Sequence, residues 1–280
     1  MLSYRHAFHA GNHADVLKHY VLSLVLTYMR QKDKPYCYID THAGAGLYHL
    51  KDDKARQNAE FEQGIAKLMA ATDLTPALAN FAALIKSVTD NDPAFYPGSP
   101  VLAHHLLRAD DKMCLFELHP SDHALLTANF KNQGKQVRVA QQDGFAGIKA
   151  CLPPASRRAV VLIDPPYENK QDYQYVVSML KDSLKRFASG TYLIWYPLLQ
   201  RPEPAQMLAE LLALKPASWL HVSLSIHAPK SDGFGMHGSG LFIVNPPWTL
   251  PQTLNASLPA LTELLALDPT AHFSLSHEIA

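Results

Sequence analysis

Apolar residues fall along the chain in two kinds of run, which predict strands and helices respectively. Short continuous apolar runs that stop at polar residues or glycine predict buried strands at 36–40, 112–118, 136–141, 159–163 and 191–198. Between them, apolar residues recur at helical spacing and predict helices at 13–30, 121–132, 145–151, 171–188 and 203–214. Strands and helices therefore alternate, which favours an α/β fold around a sheet with parallel strands.

Two segments depart from this alternation. Residues 54–70 and 76–88 each place apolar residues on one helical stripe, with no strand between them. We predict that 51–95 form a small inserted helical subdomain, and that 1–50 and 96–280 form the sheet domain, with 1–12 as a mobile leading segment. The runs 219–228 and 238–245 are joined by a glycine-rich connection, which predicts a terminal antiparallel hairpin at the sheet edge.

Composition and charge exclude some classes of protein. Hydrophobic residues make up 48% of the 280, which is enough for a packed core and argues against a disordered chain. The 25 Lys and Arg residues balance the 25 Asp and Glu residues, so the chain has no overall basic field of the kind that attracts nucleic acid. Any contact with nucleic acid must therefore come from a local surface.

The cysteines and the apolar segments indicate a cytoplasmic protein. Cys37, Cys114 and Cys151 are far apart, adjoin apolar stretches and form no C-x-x-C pair, which predicts reduced core thiols. The longest apolar run, 20–29, is too short to span a bilayer, and the N-terminus lacks the apolar core of a signal peptide. We therefore expect a cytoplasmic protein with no membrane partner.

Acidic residues follow the first three strands that the alternation predicts. Asp40 ends the first strand and precedes a turn with Gly44 and Gly46, where a ligand can approach backbone N–H groups closely. Glu117 ends the second, where an acid in a Rossmann-like sheet accepts hydrogen bonds from ribose hydroxyls, and Asp143 ends the third. The turn matches a dinucleotide-binding glycine motif only in part, so a tight turn without a ligand fits it equally well. The three strand ends together favour a nucleoside-binding edge.

The fourth strand ends in Asp164-Pro165-Pro166-Tyr167, a turn suited to chemistry on an amine. Consecutive prolines fix the backbone and remove two N–H donors, so the turn is stiff and its carbonyls stay available. The Asp164 carboxylate and the Pro165 carbonyl can each accept an N–H from an exocyclic amine, whose lone pair then points at an electrophile. Tyr167 would offer a face on which a base stacks after leaving its helix. The alternative for this turn alone is a purely structural end of a strand.

A similar tetrad, Asn245-Pro246-Pro247-Trp248, follows the last predicted strand. Its residue types would also suit amine chemistry. It comes after an antiparallel edge strand, however, and the end of such a strand need not face the ligand-binding edge. We therefore predict that Asn245 is a structural stop, that Trp248 packs or lies at a rim, and that Asp164 carries the chemistry.

The tetrad at 164–167 and several further stretches resemble one family of enzymes. The tetrad is typical of amino-group methyltransferases that use S-adenosylmethionine. The stretches YRHAFHAGNHADVLKH, DTHAGAG, YPGSP, ELHPSD, DGF and SRRAVVLIDPPYE resemble, essentially from end to end of the chain, the RlmJ family of bacterial 23S rRNA adenine-N6 methyltransferases. The resemblance implies a Rossmann-like class I methyltransferase sheet and methyl transfer from S-adenosylmethionine to N6 of one adenine in 23S rRNA.

The resemblance also implies roles for individual residues. Asp164 would be the catalytic acceptor for the adenine amine, helped by Pro165, with Tyr167 against the base. Besides Asp164, the residues that would hold the cofactor S-adenosylmethionine are Lys18, His19, His42, Ser99, Glu117, Asp143 and Gly144. Tyr4 and His6, on the leading segment, would help close over the target nucleotide. For Lys18 ordinary chemistry agrees, because an ammonium can pair with the methionine carboxylate of the cofactor.

The residues alone leave other functions open. The same chemistry on DNA adenine or on a protein amide fits the tetrad, which does not select a substrate. A non-catalytic RNA-binding protein of the same fold and a nicotinamide dehydrogenase are further alternatives. A metal is not expected, because the N-terminal histidines have no cysteine or acidic cluster to complete a site. We expect a monomer that binds 23S rRNA with modest help from scattered basic residues.

Overall fold

The chain folds around one large mixed sheet, seen in a computed structural model that describes residues 5–231 and 233–279. Its strands are β1 (Cys37–Asp40), β2 (Leu47–His49), β3 (Phe95–Pro97), β4 (Lys112–Phe116), β5 (Val137–Ala140), β6 (Ala159–Ile163), β7 (Thr191–Leu198), β8 (Trp219–Ser225), β9 (Gly238–Val244) and β10 (His272–Glu278). Its α-helices are α1 (His13–Arg30), α2 (Asp53–Asn58), α3 (Ile65–Ala70), α4 (Pro76–Val88), α5 (Ser99–Leu106), α6 (Pro120–Phe130), α7 (Gly144–Gly147), α8 (Gln171–Arg186), α9 (Pro202–Ala213) and α10 (Leu250–Leu265).

The sheet has eight strands in the order β10-β8-β9-β7-β6-β1-β4-β5, and β2 pairs separately with β3. The strands β7, β6, β1, β4 and β5 run parallel, whereas β9, β8 and β10 are joined by antiparallel pairing. The chain moves outward from β1 to β4 and β5, then returns to β6 on the other side of β1. The predicted α/β class is confirmed, and the reversal beside β1 is the kind of switch point at which such sheets bind ligands.

Helices cover both faces of the sheet, which explains why the central strands are apolar without interruption. Every residue of β6 is buried, as expected for a parallel strand that lies under helices on both sides. One face packs with α1, α4, α5 and α10, and the other packs with α8 and α9. The Asn12 side chain accepts hydrogen bonds from the N–H groups of Ala14 and Asp15 and so caps α1. None of the described helices is long and apolar enough to cross a membrane.

The helix predicted at 54–70 is wrong as a single element. It is broken into α2, a short 3₁₀ turn at Glu60–Gln63, and α3. Ala59 takes a left-handed conformation at φ 48°, and Gly64 lies against the chain before α1, where a Cβ would be 2.2 Å from the Gly11 carbonyl oxygen. This close approach holds α3 against the start of α1. The separation of 51–95 as an inserted subdomain stays a prediction.

The antiparallel pairing of β8 with β9 is confirmed, but this pair does not end the sheet. After β9 the chain forms α10 and then β10, which pairs antiparallel with β8 and becomes the edge strand. The prediction that the hairpin lies at the edge is therefore wrong. Pro251 and Pro259 within α10 obscure the helical pattern in the sequence, because proline lacks the N–H that a helix interior uses.

Candidate active site

A cavity of about 1110 Å³ opens at the carboxyl ends of β1, β4, β5 and β6. It lies at the reversal of strand order, where open α/β sheets bind ligands. The predicted site residues that line it are His6, Lys18, His19, His42, Ser99, Glu117, Asp143, Gly144, Asp164 and Pro165. Tyr4 falls outside the described residues, and Tyr167 is not part of the described lining.

Asp164 follows the last residue of β6 and is held by a short ion pair. The Lys18 ammonium donates to one Asp164 carboxylate oxygen at 2.6 Å and to an Asp15 oxygen at 2.8 Å. The side chain of Lys18 is 5% exposed and that of Asp164 is 14% exposed, so water screens the pair weakly. This arrangement gives Lys18 a role that the sequence did not predict. Its charge is matched by two carboxylates, so it orients Asp164, and its contact with the cofactor stays a prediction.

Asp15 connects this ion pair to the segment that precedes α1. One Asp15 oxygen accepts from the Gly11 N–H at 2.9 Å and lies 2.8 Å from His6 Nε2. Burial opposes the charge on Asp15, but the nearby His6 and Lys18 outweigh it and hold the Asp15 pKa well below its usual value. Burial would likewise lower the Lys18 pKa, and the two carboxylates raise it instead. The chain thus keeps a fixed ammonium between two carboxylates beside the cavity.

The glycine turn after β1 is closed by Glu117 from the end of β4. The Gly44 N–H donates to one Glu117 oxygen at 2.8 Å, and the His119 N–H donates to the other at 2.7 Å. Gly44 has φ 61°, a left-handed conformation that glycine adopts without a steric penalty. Burial raises the pKa of Glu117 above its usual value, and these two N–H groups offset only part of the rise. Each carboxylate oxygen keeps a further lone pair that can accept from a ligand hydroxyl.

Asp143 and Gly144 form the next part of the wall, at the end of β5. The Asp143 side chain accepts from the Phe145 N–H at 2.9 Å and begins α7. A Cβ on Gly144 would be 1.9 Å from the Thr41 carbonyl oxygen, so only glycine lets this turn lie against the turn after β1. The Phe145 ring meets His42 edge to face at a centroid distance of 4.9 Å. The two strand ends are thereby joined into one rim.

His19 contributes a buried nitrogen that has no protein hydrogen-bond partner. Its Nδ1 lies 2.7 Å from the Tyr96 hydroxyl, whereas its Nε2 makes no hydrogen bond. Burial lowers the pKa of His19 to about 3, so the imidazole is neutral at physiological pH. His42 is similar, because burial lowers its pKa to about 3 as well. Both rings therefore enter the cavity lining as neutral groups that can donate or accept a hydrogen bond.

Ser99 is positioned by the buried acid at the end of β1. The Ser99 hydroxyl donates to an Asp40 oxygen at 2.7 Å, and the Tyr38 hydroxyl donates to the same oxygen at 2.7 Å. Asp40 itself is fully buried and does not reach the cavity surface. Burial raises its pKa to about 6, and the two hydroxyl donors limit the rise. The Asp40 carboxylate thus serves as the support of Ser99.

The Pro-Pro turn brings Pro165 to the cavity and turns Tyr167 away from it. Tyr167 has φ 52°, and its side chain is 3% exposed. Its hydroxyl donates to the Trp195 carbonyl at 2.6 Å, and its ring packs on Tyr173 at a centroid distance of 4.5 Å. The predicted open stacking face at Tyr167 is therefore wrong for this conformation, because the left-handed backbone directs the ring into the core.

Two residues beside Asp164 escaped the sequence predictions. Trp195 follows Ile194, the β7 partner of the residue before Asp164, and its ring lies 5.6 Å from the Lys18 ammonium. Asp15 holds the same ammonium from within α1. The signal for Asp15 was present, because Asp15 and Lys18 are three positions apart on a helix that is otherwise mostly apolar. No comparable signal marks Trp195, whose position depends on the pairing of β6 with β7.

The second tetrad lies at the opposite ends of the strands from Asp164, near the start of β7. β9 ends at Val244, which pairs with Tyr192 at the start of β7, so the tetrad is far along the strands from Asp164. The Asn245 amide donates to the carbonyls of Ala188 and Gly190, both at 2.8 Å. Trp248 is 68% exposed. These hydrogen bonds agree with Asn245 as a structural stop, and Trp248, predicted to pack or to lie at a rim, is not part of the core.

Arg158 and Arg186 bond to other groups of the protein, and neither is part of the cavity lining. Arg158, ahead of β6, donates to the main-chain carbonyls of Met29 and Lys34, so its guanidinium stabilises the amino-terminal edge of the sheet. Arg186 pairs with Asp182 on the exposed surface of α8. Within residues 5–231 and 233–279, no group of three or more His, Cys, Asp or Glu side chains is arranged to hold a metal ion.

Comparison with protein families gives a match over most of the chain. The family described as "Ribosomal RNA large subunit methyltransferase D, RlmJ" matches residues 33–278. A protein of Escherichia coli (strain K12), named ribosomal RNA large subunit methyltransferase J, is 46% identical to this chain over 277 residues. The match covers 99% of this chain and 98% of that protein. A protein of the same name from Haemophilus influenzae is 43% identical over 277 residues, which cover 98% of each chain.

A solved structure matches the fold over nearly the whole chain. It is a crystal structure of a protein from Legionella pneumophila str. Philadelphia 1, which is 32% identical to this chain. The superposition has a TM-score of 0.87 and covers 96% of this chain and 98% of the other. The overall fold is therefore shared with a protein of solved structure.

Proposed function

The chain belongs to the RlmJ family of ribosomal RNA large subunit methyltransferases, and we propose that it transfers a methyl group from S-adenosylmethionine to N6 of one adenine in 23S rRNA. The substrate follows from the two relatives, whose names specify the large-subunit rRNA. The Asp-Pro-Pro-Tyr turn supports an exocyclic amine as the methylated group, and the choice of adenine N6 is what the family resemblance implies. The observation that carries this choice is Asp164, a carboxylate fixed by Lys18 at the edge of a cavity large enough for two nucleosides.

The residues of the cavity fit S-adenosylmethionine. The Nε2 of His19, which makes no hydrogen bond and lies 3.9 Å from Asp15, offers a buried group for a polar atom of a ligand. Glu117 would accept the ribose hydroxyls, and Asp143 with Gly144 would contact the adenine end. His19, His42 and Ser99 would hold the remaining part of the cofactor. When bound, the cofactor supplies a methyl group made electrophilic by its sulfonium.

The chain's own contribution to catalysis is to hold and orient the amine. The lone pair of an adenine amine is delocalised into the ring, so the nitrogen attacks poorly unless its N–H groups are held. Asp164 and the Pro165 carbonyl would each accept one N–H, and the nitrogen's lone pair would then point out of the ring plane. Lys18 fixes one Asp164 oxygen before the substrate arrives, so little reorganisation is needed during the reaction.

The target adenine must leave its RNA helix to reach Asp164. An exocyclic amine inside a stacked and paired duplex is out of reach, so the substrate is an unpaired or flipped base. His6, which is 5.2 Å from the Tyr48 ring and lines the cavity, would contact that nucleotide together with Tyr4. Tyr167, whose ring packs in the core, would stabilise the turn. We propose that 51–95 act as a subdomain and that the enzyme works as a cytoplasmic monomer.

Competition between substrates tests this function. The full chain would be incubated with methyl-labelled S-adenosylmethionine and with 23S rRNA transcripts, duplex DNA or protein extract, followed by digestion and mass spectrometry. The expected result is label in N6-methyladenosine from rRNA alone, lost in Asp164→Ala. Label in DNA adenine or in a protein amide with none in rRNA would overturn the proposal. Binding of rRNA with no methyl transfer by the wild-type chain would instead indicate a non-catalytic RNA-binding protein.

A further inference from the structure

A segment that is distant in sequence holds the start of α1. This segment, residues 59–65, lies against the turn at 9–12 that leads into the helix, and we call it the brace. The Ile65 N–H donates to the Gly11 carbonyl at 2.8 Å. A Cβ on Gly64 would be 2.2 Å from the same carbonyl oxygen, so only glycine allows this approach. The brace therefore packs directly on the backbone that precedes α1.

Glu60 is the acid of the brace that bonds to this turn. One Glu60 oxygen accepts from the Asn12 side-chain amide at 2.9 Å, and His9 Nδ1 lies 2.9 Å from the other oxygen. Burial raises the Glu60 pKa, but the bonds from His9 and Asn12 outweigh this effect and hold the pKa below its usual value. Glu60 is thus ionised at neutral pH, and its carboxylate joins both ends of the turn at 9–12.

From Asn12, an unbroken series of contacts leads to Asp164. The Asn12 side-chain oxygen accepts from the Asp15 N–H at 3.0 Å and caps α1. The Asp15 carboxylate lies 2.8 Å from the Lys18 ammonium, which donates to Asp164 at 2.6 Å. Asn12 and Asp15 are 4% and 1% exposed, so water does not compete for these contacts. A displacement at Glu60 is therefore carried along the start of α1 to the ammonium that fixes Asp164.

Glu60 does not touch the reacting groups itself. It is not part of the cavity lining, and its side chain is 34% exposed. His19, which lies on α1 and lines the cavity, has a separate bond, since its Nδ1 lies 2.7 Å from the Tyr96 hydroxyl. Loss of the Glu60 carboxylate should therefore disturb the orientation of Asp164 more than it disturbs the residues predicted to bind the cofactor.

We propose that Glu60 is a positioning residue for methyl transfer, which fixes the start of α1 so that Lys18 holds Asp164 ready for the amine. This inference rests on the proposed function, since it assumes that Asp164 receives an amine. A misplacement of about 1 Å that originates far from the chemistry can lower a rate by about 100-fold. The opposite interpretation is that Glu60 contributes to stability alone. The two interpretations differ in kcat, in the response of a Lys18 variant and in the surroundings of Trp195.

The first test measures methylation of 23S rRNA transcripts by full-length variants, at a temperature below all of their unfolding transitions. Glu60→Ala is expected to lower kcat by ~10-fold to ~100-fold. Its KM for rRNA and its affinity for S-adenosylmethionine should stay at the wild-type values. Glu60→Gln should keep most of kcat, because its amide oxygen can still accept from Asn12.

Two control variants separate positioning from stability. Glu62→Ala removes an exposed acid of the same brace and should change neither kcat nor Tm. Leu78→Ala removes a fully buried side chain of α4, so it should lower Tm at least as far as Glu60→Ala does, with kcat unchanged.

A double-mutant cycle shows whether Glu60 acts through Lys18. In the Lys18→Met background, Glu60→Ala should lower kcat by less than ~2-fold, because the group that Glu60 positions is already absent. A purely structural effect of Glu60→Ala would instead multiply with the effect of Lys18→Met.

Tryptophan fluorescence reports on the ion pair without methyl transfer. The ring of Trp195 lies 5.6 Å from the Lys18 ammonium, and the chain has two other tryptophans, Trp219 and Trp248. In a chain that carries Trp219→Phe and Trp248→Phe, Glu60→Ala should shift the emission of Trp195, and Glu62→Ala should not.

Any of four results would overturn the inference. They are a kcat for Glu60→Ala within ~2-fold of wild type, an equal loss of kcat in Leu78→Ala, full multiplication of the two effects in the Lys18→Met background, and an unchanged Trp195 emission in Glu60→Ala. The proposed function fails separately. If the wild-type chain forms no N6-methyladenosine in rRNA while the Trp195 emission responds to Glu60→Ala, the assigned reaction is wrong and the positioning of Lys18 by Glu60 stands. Methylation of rRNA with kcat and emission unchanged in Glu60→Ala removes only this inference.

Discussion

Replacing Lys18 by Met tests whether a fixed ammonium prepares Asp164 for catalysis. Methionine has a similar length and no charge, so the substitution removes the cation and leaves most of the side-chain volume. In the folded chain, the ammonium lies 2.6 Å from Asp164 and 2.8 Å from Asp15, and the side chain is 5% exposed. Without the cation, two carboxylates face one another across a poorly screened space. One of them then takes up a proton, or the side chains move apart.

The magnitude follows from the burial of this ion pair. Removing one partner of a buried ion pair costs about 3–5 kcal/mol, because the other charge is left uncompensated. Since Asp15 keeps bonds from Gly11 and His6, we expect the lower end, about 3 kcal/mol. For a chain of this size, that corresponds to a fall in Tm of roughly 6–10 °C. We expect kcat to fall by ~10²-fold or more, since preorganised charge supplies a large part of catalysis.

Thermal unfolding and rRNA methylation kinetics measure the two effects. The loss of kcat in Lys18→Met should shrink as pH rises, because a carboxylate that has gained a proton loses it again. Arg186→Met removes a cation from the exposed pair with Asp182 and serves as the matched control, with no change expected in Tm or kcat. A Lys18→Met variant with wild-type kcat and Tm would refute the role assigned to this ion pair.

Three further predictions concern pH and two positions in the fold. The pKa values of His13 and His19 are lowered to about 4 and 3, so below pH 6.5 the unfolded chain binds protons that the folded chain excludes. Stability should therefore fall with decreasing pH, by on the order of 3 kcal/mol between pH 7 and pH 5, as measured by urea unfolding. Gly144→Ala places a Cβ 1.9 Å from the Thr41 oxygen and should weaken S-adenosylmethionine binding by ~10-fold or more in calorimetry. Asn245→Ala removes two hydrogen bonds and a residue suited to φ 52°, and should cost about 2 kcal/mol in urea unfolding with kcat unchanged.

Each of these predictions has a result that contradicts it. A free energy of unfolding that is constant from pH 7 to pH 5 would mean that the two histidines are not buried as neutral groups. Wild-type cofactor affinity in Gly144→Ala would show that the two turns can separate freely. A large loss of kcat in Asn245→Ala, with stability unchanged, would assign chemistry to the second tetrad.

Much of the fold was predictable because it depends on local patterns. The run AVVLI predicts a strand buried on both faces, and β6 is one. The helix at 13–30 has both its helical spacing and an Asn12 cap, and α1 has those bounds. The glycine-rich connection between 228 and 238 predicts the antiparallel pair of β8 and β9. In each case a few neighbouring residues determine the structure.

The errors in the fold arise where distant contacts override local preference. The apolar stripe at 54–70 is compatible with one helix, but Gly64 must lie against the Gly11 carbonyl, and the helix breaks there. The last strand, β10, pairs with β8 only after α10 has crossed the sheet. Its alternating residues at 272–278 are a weak signal on their own. Long-range pairing of this kind leaves little trace in the local sequence.

The candidate active site, like the fold, was predictable only in part. Acidic residues at strand ends were predictable, and Glu117, Asp143 and Asp164 all line the cavity. What the sequence did not reveal is how the side chains are oriented and paired. Lys18 is committed to two carboxylates, and Tyr167 turns inward because its φ is 52°. Both depend on contacts between segments that are more than a hundred residues apart or on a single backbone angle, which residue types alone do not specify.

In the proposed reaction, Asp164 receives the amine of an adenine in 23S rRNA. The most direct test of this claim is nucleoside mass spectrometry of 23S rRNA transcripts incubated with S-adenosylmethionine and either the wild-type chain or Asp164→Asn. We predict N6-methyladenosine at one position with the wild type, and a rate lower by ~10³-fold in the variant, which should still bind the cofactor. Equal amounts of N6-methyladenosine from both proteins, or a methyl group on another atom, would contradict the account.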